Sequence, residues 1–381
     1  MKRSRSNIII YIKSCCRVTN FKRLLGKIMS DKRINKRVND YDHVTGRTPF
    51  MDAVCFGNKD EVIALLSAGA KINLQSTNEG SDPSGSTALM YAAERGYKEI
   101  VDILIKAGAN VNIRNSIGRT AIMFRSSQDR SPDLGKWFAI SKKGEDYKDI
   151  IDTLIKAGAE VNAQDEDGRT ALILTIVWVH PYAEWVVNAL LKAGADVNIR
   201  DKSGQSAFAY STHGYPFSRS DDIIAAALIN HGVDDLSFKD RYGQTALMNA
   251  CVFGGRDTVA ALIKAGVDLN VPDQNGQTAL MKVVERNEQL VDQGNGVVWR
   301  YEDVLDALLK AGADVNVQDK NGQTALMKAA CGGKESMVMA LLLVGADTTI
   351  TDKHGDTAEM FAMKSDHSEI VKLLQEKNKT T

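Results

Sequence analysis

The hydrophobic positions of this chain fall in blocks that recur. Asp319 to Val344 reads DKNGQTALMKAACGGKESMVMALLLV and runs on into Gly345-Ala346-Asp347; the same order of polar turn, short apolar segment, glycine and longer apolar segment returns eight more times. The anchor glycine of the block stands at Gly46, Gly85, Gly118, Gly168, Gly204, Gly243, Gly276, Gly322 and Gly355, and the undisturbed intervals are 33 residues. A fixed period of this length predicts stacked units rather than one closed domain.

Each unit reads as the same set of elements. Asp-x-x-Gly is a turn in which glycine takes positive φ and the aspartate side chain closes the bend. A threonine then caps a short helix, as in Thr245-Ala246-Leu247-Met248, with Leu247, Met248 and Ala250 on its apolar face. Glycine is expected to end that helix at Gly57, Gly96, Gly254 and Gly332. A second helix follows, with apolar residues at helical spacing such as Ile100, Ile103 and Leu104, and closes at Gly69, Gly108, Gly158, Gly194, Gly232, Gly266, Gly312 or Gly345. The chain leaves through an extended Ala-Asp-Val-Asn segment. Neither helix buries its apolar face alone, so the fold class is an all-α repeat solenoid of helix-turn-helix units with β-hairpin-like fingers.

The repeat resembles that of the ankyrin family over residues 40–376, with Thr-Ala-Leu-Met at Thr87, Thr245, Thr278 and Thr324 where the family has Thr-Pro-Leu-His; Thr48-Pro49 keeps the proline. The Thr-Ala-Leu-Met style is similar to that of microbial ankyrin proteins. Methionine or another apolar residue replaces the family histidine (Met51, Met90, Met123, Ile173, Ala209, Met248, Met281, Met327, Met360), which implies loss of the usual Thr–His hydrogen bonding. The resemblance implies protein binding through finger tips, here Arg241 and Tyr242, and through outward positions of first helices, here Tyr91, Tyr210, Asn249, Phe253, Lys282 and Lys328.

Three regions follow: a basic leader over 1–39, an array of about nine repeats over 40–376, and a short tail over 377–381. Polar or aromatic insertions interrupt the array near 76–84, 126–146, 177–184, 213–221 and 287–302. The formal net charge of zero conceals an asymmetry. Twelve Lys or Arg and one acid precede Asp40, leaving 36 basic and 47 acidic residues from Asp40 onward. The leader therefore suits an acidic partner or an anionic membrane surface, and the array suits basic ones. Val18, Phe21, Leu25 and Ile28 share a helical face with Lys22, Arg23 and Lys27 around it. That pattern fits a degenerate N-terminal cap, whose Val38-Asn39 mimics the later Val-Asn pairs, or a basic amphipathic helix for a membrane surface. A disordered tail, including the case of a start that lies at Met29, is the third reading. The apolar run Ile8 to Ile12 is too short to span a bilayer.

Four of the insertions fall between first and second helix, so stacking predicts a ridge along one edge. All four tryptophans lie in or beside them: Trp137, Trp178, Trp185 and Trp299, with Phe138, Tyr182, Tyr215, Phe217 and Tyr301. Rings of this kind either pin long loops onto the helices below or anchor a partner. The partner-binding set is therefore Trp137, Phe138, Trp178, Tyr182, Tyr215, Phe217, Trp299, Tyr301, Arg241, Tyr242, Tyr210 and Phe253. The methionine stripe reads as core between repeats.

Catalytic chemistry finds no foothold in the pattern. The six histidines are scattered, and none of the five cysteines has the paired spacing of a zinc site. Cys55, Cys251 and Cys331 sit where small buried residues belong, which suits a reducing compartment. Asp165-Glu166-Asp167-Gly168 opens like a calcium loop but lacks the later acid. Neither a phosphate-binding glycine loop nor a nucleophile elbow is present, and no cofactor is expected. The expectation is a non-catalytic scaffold or adaptor, with a host-directed effector or regulator as the alternative and an enzyme hidden in the insertions as a weaker one. Localisation is expected to be cytoplasmic, or secreted as an effector without a recognisable signal peptide.

Overall fold

A computed structural model describes residues 38–77, 83–123, 144–177, 183–213, 219–240, 242–253, 255–286 and 301–380. The described residues hold seventeen α-helices and one 3-10 turn; extended pairing is limited to isolated antiparallel bridges at Gln75 with Thr87, Arg200 with Ser206 and Lys239 with Thr245. Those bridges close the fingers, so the all-α solenoid with hairpin-like fingers stands.

Contacts divide the chain into one unit through Ala171 and a second from Leu172. In the first, α1 (Pro49–Cys55) and α2 (Lys59–Ser67), then α3 (Ala88–Glu94) and α4 (Lys98–Lys106), form two helix pairs. The third pair is reduced to a 3-10 turn (Ala121–Met123) and α5 (Gly144–Lys156), which starts three residues before the expected Tyr147. Its core is formed by residues such as Leu89, Met90, Leu104, Ile150 and Leu154, each at most 2% exposed.

The second unit holds α6 (Ala171–Val177), which begins at the boundary, and α7 (Ala183–Lys192). After them come α8 (Ala207–His213), α9 (Arg219–Asn230), α10 (Ala246–Phe253), α11 (Arg256–Lys264), α12 (Ala279–Glu285) and α13 (Tyr301–Lys310). The last two pairs are α14 (Ala325–Cys331) with α15 (Glu335–Leu343) and α16 (Ala358–Lys364) with α17 (Ser368–Thr380). Helix α17 runs through most of the stretch expected as a tail. Leu190, Phe208, Met248, Leu308 and Leu341 are among its buried core residues.

Threonine starts the first helices as expected. Thr48, Thr87, Thr245, Thr324 and Thr357 each accept the backbone N–H three residues on, at 3.3–3.4 Å. The methionine that replaces histidine does not forfeit the cap. Sδ of Met90 and of Met327 accepts the backbone N–H of Thr87 and Thr324, at 3.3 and 3.4 Å, so a thioether closes the reciprocal bond of a capping box. The left-handed residue after α14 is Gly333, at φ 70°, whereas Gly332 is an ordinary C-cap at φ −81°. Gly333 is thus the counterpart of Gly57 and Gly96.

Candidate partner-binding surface

The finger turn decides which polar groups are free to meet a partner. In Asp319-Lys320-Asn321-Gly322, Asp319 Oδ1 accepts the N–H groups of Asn321 and Gln323 at 2.8 and 3.0 Å, and Gly322 takes φ 81°. A Cβ on Gly322 would come within 2.9 Å of Lys353 N in the next turn, so the stacking of the tips also requires glycine here. The same side-chain closure recurs at Asn115, Asp165, Asp201, Asp240, Asp273 and Asp352.

With Oδ1 engaged in its own turn, Oδ2 faces the first helix. It accepts Tyr210 Oη at Asp201 (2.7 Å), Lys282 Nζ at Asp273 (2.8 Å) and Lys328 Nζ at Asp319 (2.8 Å). Lys328 also meets Glu285 Oε1 at 2.7 Å, and Gln277 links Lys282 to the same carboxylate. Burial alone would raise the Asp319 carboxyl, but the Lys328 ammonium and the N–H groups of Gln323 and Asn321 hold it below the usual range. Asp273 is held low against burial in the same way by Lys282, Gln277 and Asn275. Burial would lower Lys328, and its hydrogen bonds to Asp319 and Glu285 outweigh that and raise it. Tyr210, Lys282 and Lys328 are therefore committed inside the repeats.

A second set of bonds fastens neighbouring repeats and was not read from the sequence. Asn73 Nδ2 donates to Gly108 O and its Oδ1 accepts Asn110 N; Asn112 does the same with Gly158 and Glu160, and Asn198 with Gly232 and Asp234. These three asparagines thus cap the left-handed exit of the second helix that follows each of them.

A sequence model described as ankyrin repeats matches residues 12–115, 74–142, 177–273, 217–293 and 297–381. The chain belongs to the ankyrin-repeat family. A curated relative, an ankyrin repeat-containing protein of Treponema pallidum (strain Nichols), is 43% identical over 72 residues. That alignment covers 18% of this chain and 24% of the relative, so the chain spans about a quarter of the relative's length.

Ankyrin repeats are generally protein–protein interaction modules, which makes the exposed anchors the relevant groups. Tyr242, at the tip of the sixth finger, is 52% exposed. Phe253 ends α10 and is half-buried beneath the Arg286 guanidinium, 5.7 Å from its ring centroid, while Arg286 Nε donates to Val252 O at 2.7 Å. Tyr91 and Asn249 are buried, and Tyr91 lies under the Arg47 guanidinium. Tyr301 corrects the expectation of a displayed ring: it opens α13 in the packed interior, 5% exposed, and burial pushes its phenol up. Trp137, Phe138, Trp178, Tyr182, Tyr215, Phe217, Trp299 and Arg241 lie outside the described residues; Trp185 is half-buried on α7.

Phe56 was missed, although it is 73% exposed and stands eight residues after its cap Thr48, as Phe253 does after Thr245. Arg286 was missed because its value as a contact group lies in Phe253, 33 residues earlier. Among the described residues no group of His, Cys, Asp and Glu is arranged to hold a metal, and no helix is long and apolar enough to cross a membrane. The ankyrin turn at Asp165 leaves little for calcium: Oδ1 accepts the N–H groups of Asp167 and Arg169, and Oδ2 meets Arg119 and Arg169. Cys55 and Cys251 are buried as expected, and burial pushes the Cys251 thiol up; Cys331 is exposed instead, 3.7 Å from Ser365 Oγ.

Proposed function

We propose that this ankyrin protein is a non-catalytic scaffold or adaptor that holds a protein partner with its finger tips, first-helix ends and aromatic insertion loops. The Phe253–Arg286 pair carries the reading. A ring with a guanidinium laid over it, fastened to the Val252 carbonyl, stands at the foot of the 287–300 segment that contains Trp299. Aromatic and arginine side chains of this kind dominate binding energy in protein interfaces. Tyr242, at the other end of the same repeat's first helix, supplies a second exposed ring. The lysines that could otherwise lend a first helix to general charge attraction are tied to Asp273 and Asp319.

The test uses the full chain as bait in a capture experiment, followed by identification of what is held. Phe253→Ala, Tyr242→Ala and Trp299→Ala are then compared for capture and for melting temperature. Capture should fall at least about tenfold for a hot-spot position while melting is unchanged. Full capture by all three variants would overturn the proposal.

A further inference from the structure

The fingers of the second unit turn their acids inward and their bases outward. Asp201, Asp273, Asp319 and Asp352 are each at most 9% exposed, and each commits Oδ1 to its own turn. The residues beside them stand out: Lys202 on the fifth finger, Tyr242 on the sixth, Asn275 on the seventh, Lys320 on the eighth, and Lys353 and His354 on the ninth. Lys282 and Lys328 are paired with Asp273 and Asp319 on the first helices, but among the described residues Lys202, Lys320 and Lys353 meet no carboxylate. The fourth finger, in the first unit, carries Glu166 and Asp167 in the same places, so the cationic row is local to the second unit.

These tips are also joined to one another. Gln274 N donates to Tyr242 O at 3.1 Å, Lys320 N to Asn275 O at 2.9 Å and Lys353 N to Asn321 O at 3.0 Å. Four successive fingers therefore hold their backbones in place before any partner arrives, and binding has only the tip side chains to order. From Asp40 onward acids outnumber bases 47 to 36, which favours basic partners for the array as a whole. Along this row the balance is reversed.

Resting on the partner-binding reading above, we propose that the tips from Tyr242 to His354 take an acidic, extended segment of the protein partner. Its carboxylates meet Lys320 and Lys353, while the Asn275 and Asn321 amides donate to and accept from its backbone. The acidic surroundings repel a polyphosphate chain along its whole length, whereas a peptide with a few carboxylates presents charge only where the lysines are.

Fluorescence anisotropy of a labelled oligoglutamate peptide, titrated with the full chain at low salt, tests this. Oligoglutamate should bind at least about tenfold more tightly than oligolysine of the same length, and the difference should shrink as salt screens it. Lys320→Glu with Lys353→Glu should weaken binding at least about tenfold at an unchanged melting temperature. Lys264→Glu with Lys379→Glu makes the same change of charge on α11 and α17 and should alter binding less than about twofold. Equal losses in the two double variants would overturn the proposal, because net charge rather than the tips would then be read. So would oligoglutamate binding no more tightly than oligolysine, or oligothymidylate binding more tightly than oligoglutamate, which would make the row a nucleic-acid surface. A partner whose capture falls with Phe253→Ala but not with the reversed Lys320 and Lys353 would sink this inference and leave the scaffold reading standing.

Discussion

Asp222 caps a helix that belongs to the next repeat. Its carboxylate accepts the N–H of Thr258 at 2.8 Å and of Asp257 at 3.2 Å, and Thr258 Oγ1 donates back to the Asp222 carbonyl at 3.0 Å. Helix α11 has Gly255 at its N-cap and no side-chain cap of its own, so a buried acid on α9 satisfies N–H groups that would otherwise be left without partners. Asp222→Ala should cost about 1–3 kcal/mol in thermal or urea unfolding, and Asp222→Asn, which keeps an acceptor, should cost less. Burial raises the Asp222 carboxyl against those hydrogen bonds. The folded chain therefore binds that proton more tightly than the unfolded one. The contribution of this group is largest below the unfolded carboxylate pKa and falls as pH rises through the folded one.

The Asp319–Lys328 pair has the opposite acid dependence. Asp319 and Asp273 sit below their ordinary value of 3.8, so their contribution is complete above that pH and is lost as pH falls through their lower folded values. Lys328 is raised above 10.5, so its contribution is present below that pH and is lost only as pH rises past the folded value. Lys328→Met should cost about 3 kcal/mol because it strands a carboxylate that is 3% exposed. Adding Asp319→Asn should recover part of that loss. An additive double variant in urea titrations would count against the coupling.

Two threonines at the same position should respond differently to truncation. Thr324 Oγ1 accepts Met327 N at 3.3 Å, whereas Thr278 makes no side-chain cap bond to its helix. Thr324→Ala is expected to cost about 1 kcal/mol and Thr278→Ala much less, read from unfolding midpoints at constant slope.

Tyr301 and Trp299 are two residues apart and should separate stability from binding. Tyr301→Ala removes a ring from the interior and should cost about 3 kcal/mol. Below the melting transition its capture of a partner should match wild type. Trp299→Ala should show the reverse, and a loss of capture by both without a change in melting would reassign Tyr301 to the contact surface.

The fold was legible because the period repeats every contact that a unit makes with itself. Cap threonines, turn glycines and the buried leucines are local features, and each occurs often enough to be read from several copies. What the pattern hid depends on a partner one repeat away. Lys282, Lys328 and Tyr210 look like displayed side chains in the sequence, and only the second carboxylate oxygen of each turn shows that they are occupied. Tyr301 looks like part of a loop because nothing local says where α13 begins. Thr258 did carry a signal, since a polar residue at a position otherwise filled by Ile100, Ile150 and Val304 needs a buried partner. Of the candidate contact residues, Tyr242 and Phe253 are accessible, and the insertion tryptophans rest on the loop-position argument alone.

The asparagine fastening makes the spacing of neighbouring repeats indifferent to the length of chain between them. Asn73 reaches Gly108 across 35 residues, Asn198 reaches Gly232 across 34, and Asn112 reaches Gly158 across 46, yet all three bonds lie between 3.0 and 3.5 Å. Asn270 meets Asp314 N at 2.9 Å across 44 residues that include the whole 287–300 segment. A chain joined this way can acquire or shed sequence between its first and second helices while the spacing of its units stays set elsewhere. New contacts can therefore be tried within those inserted segments at little structural risk.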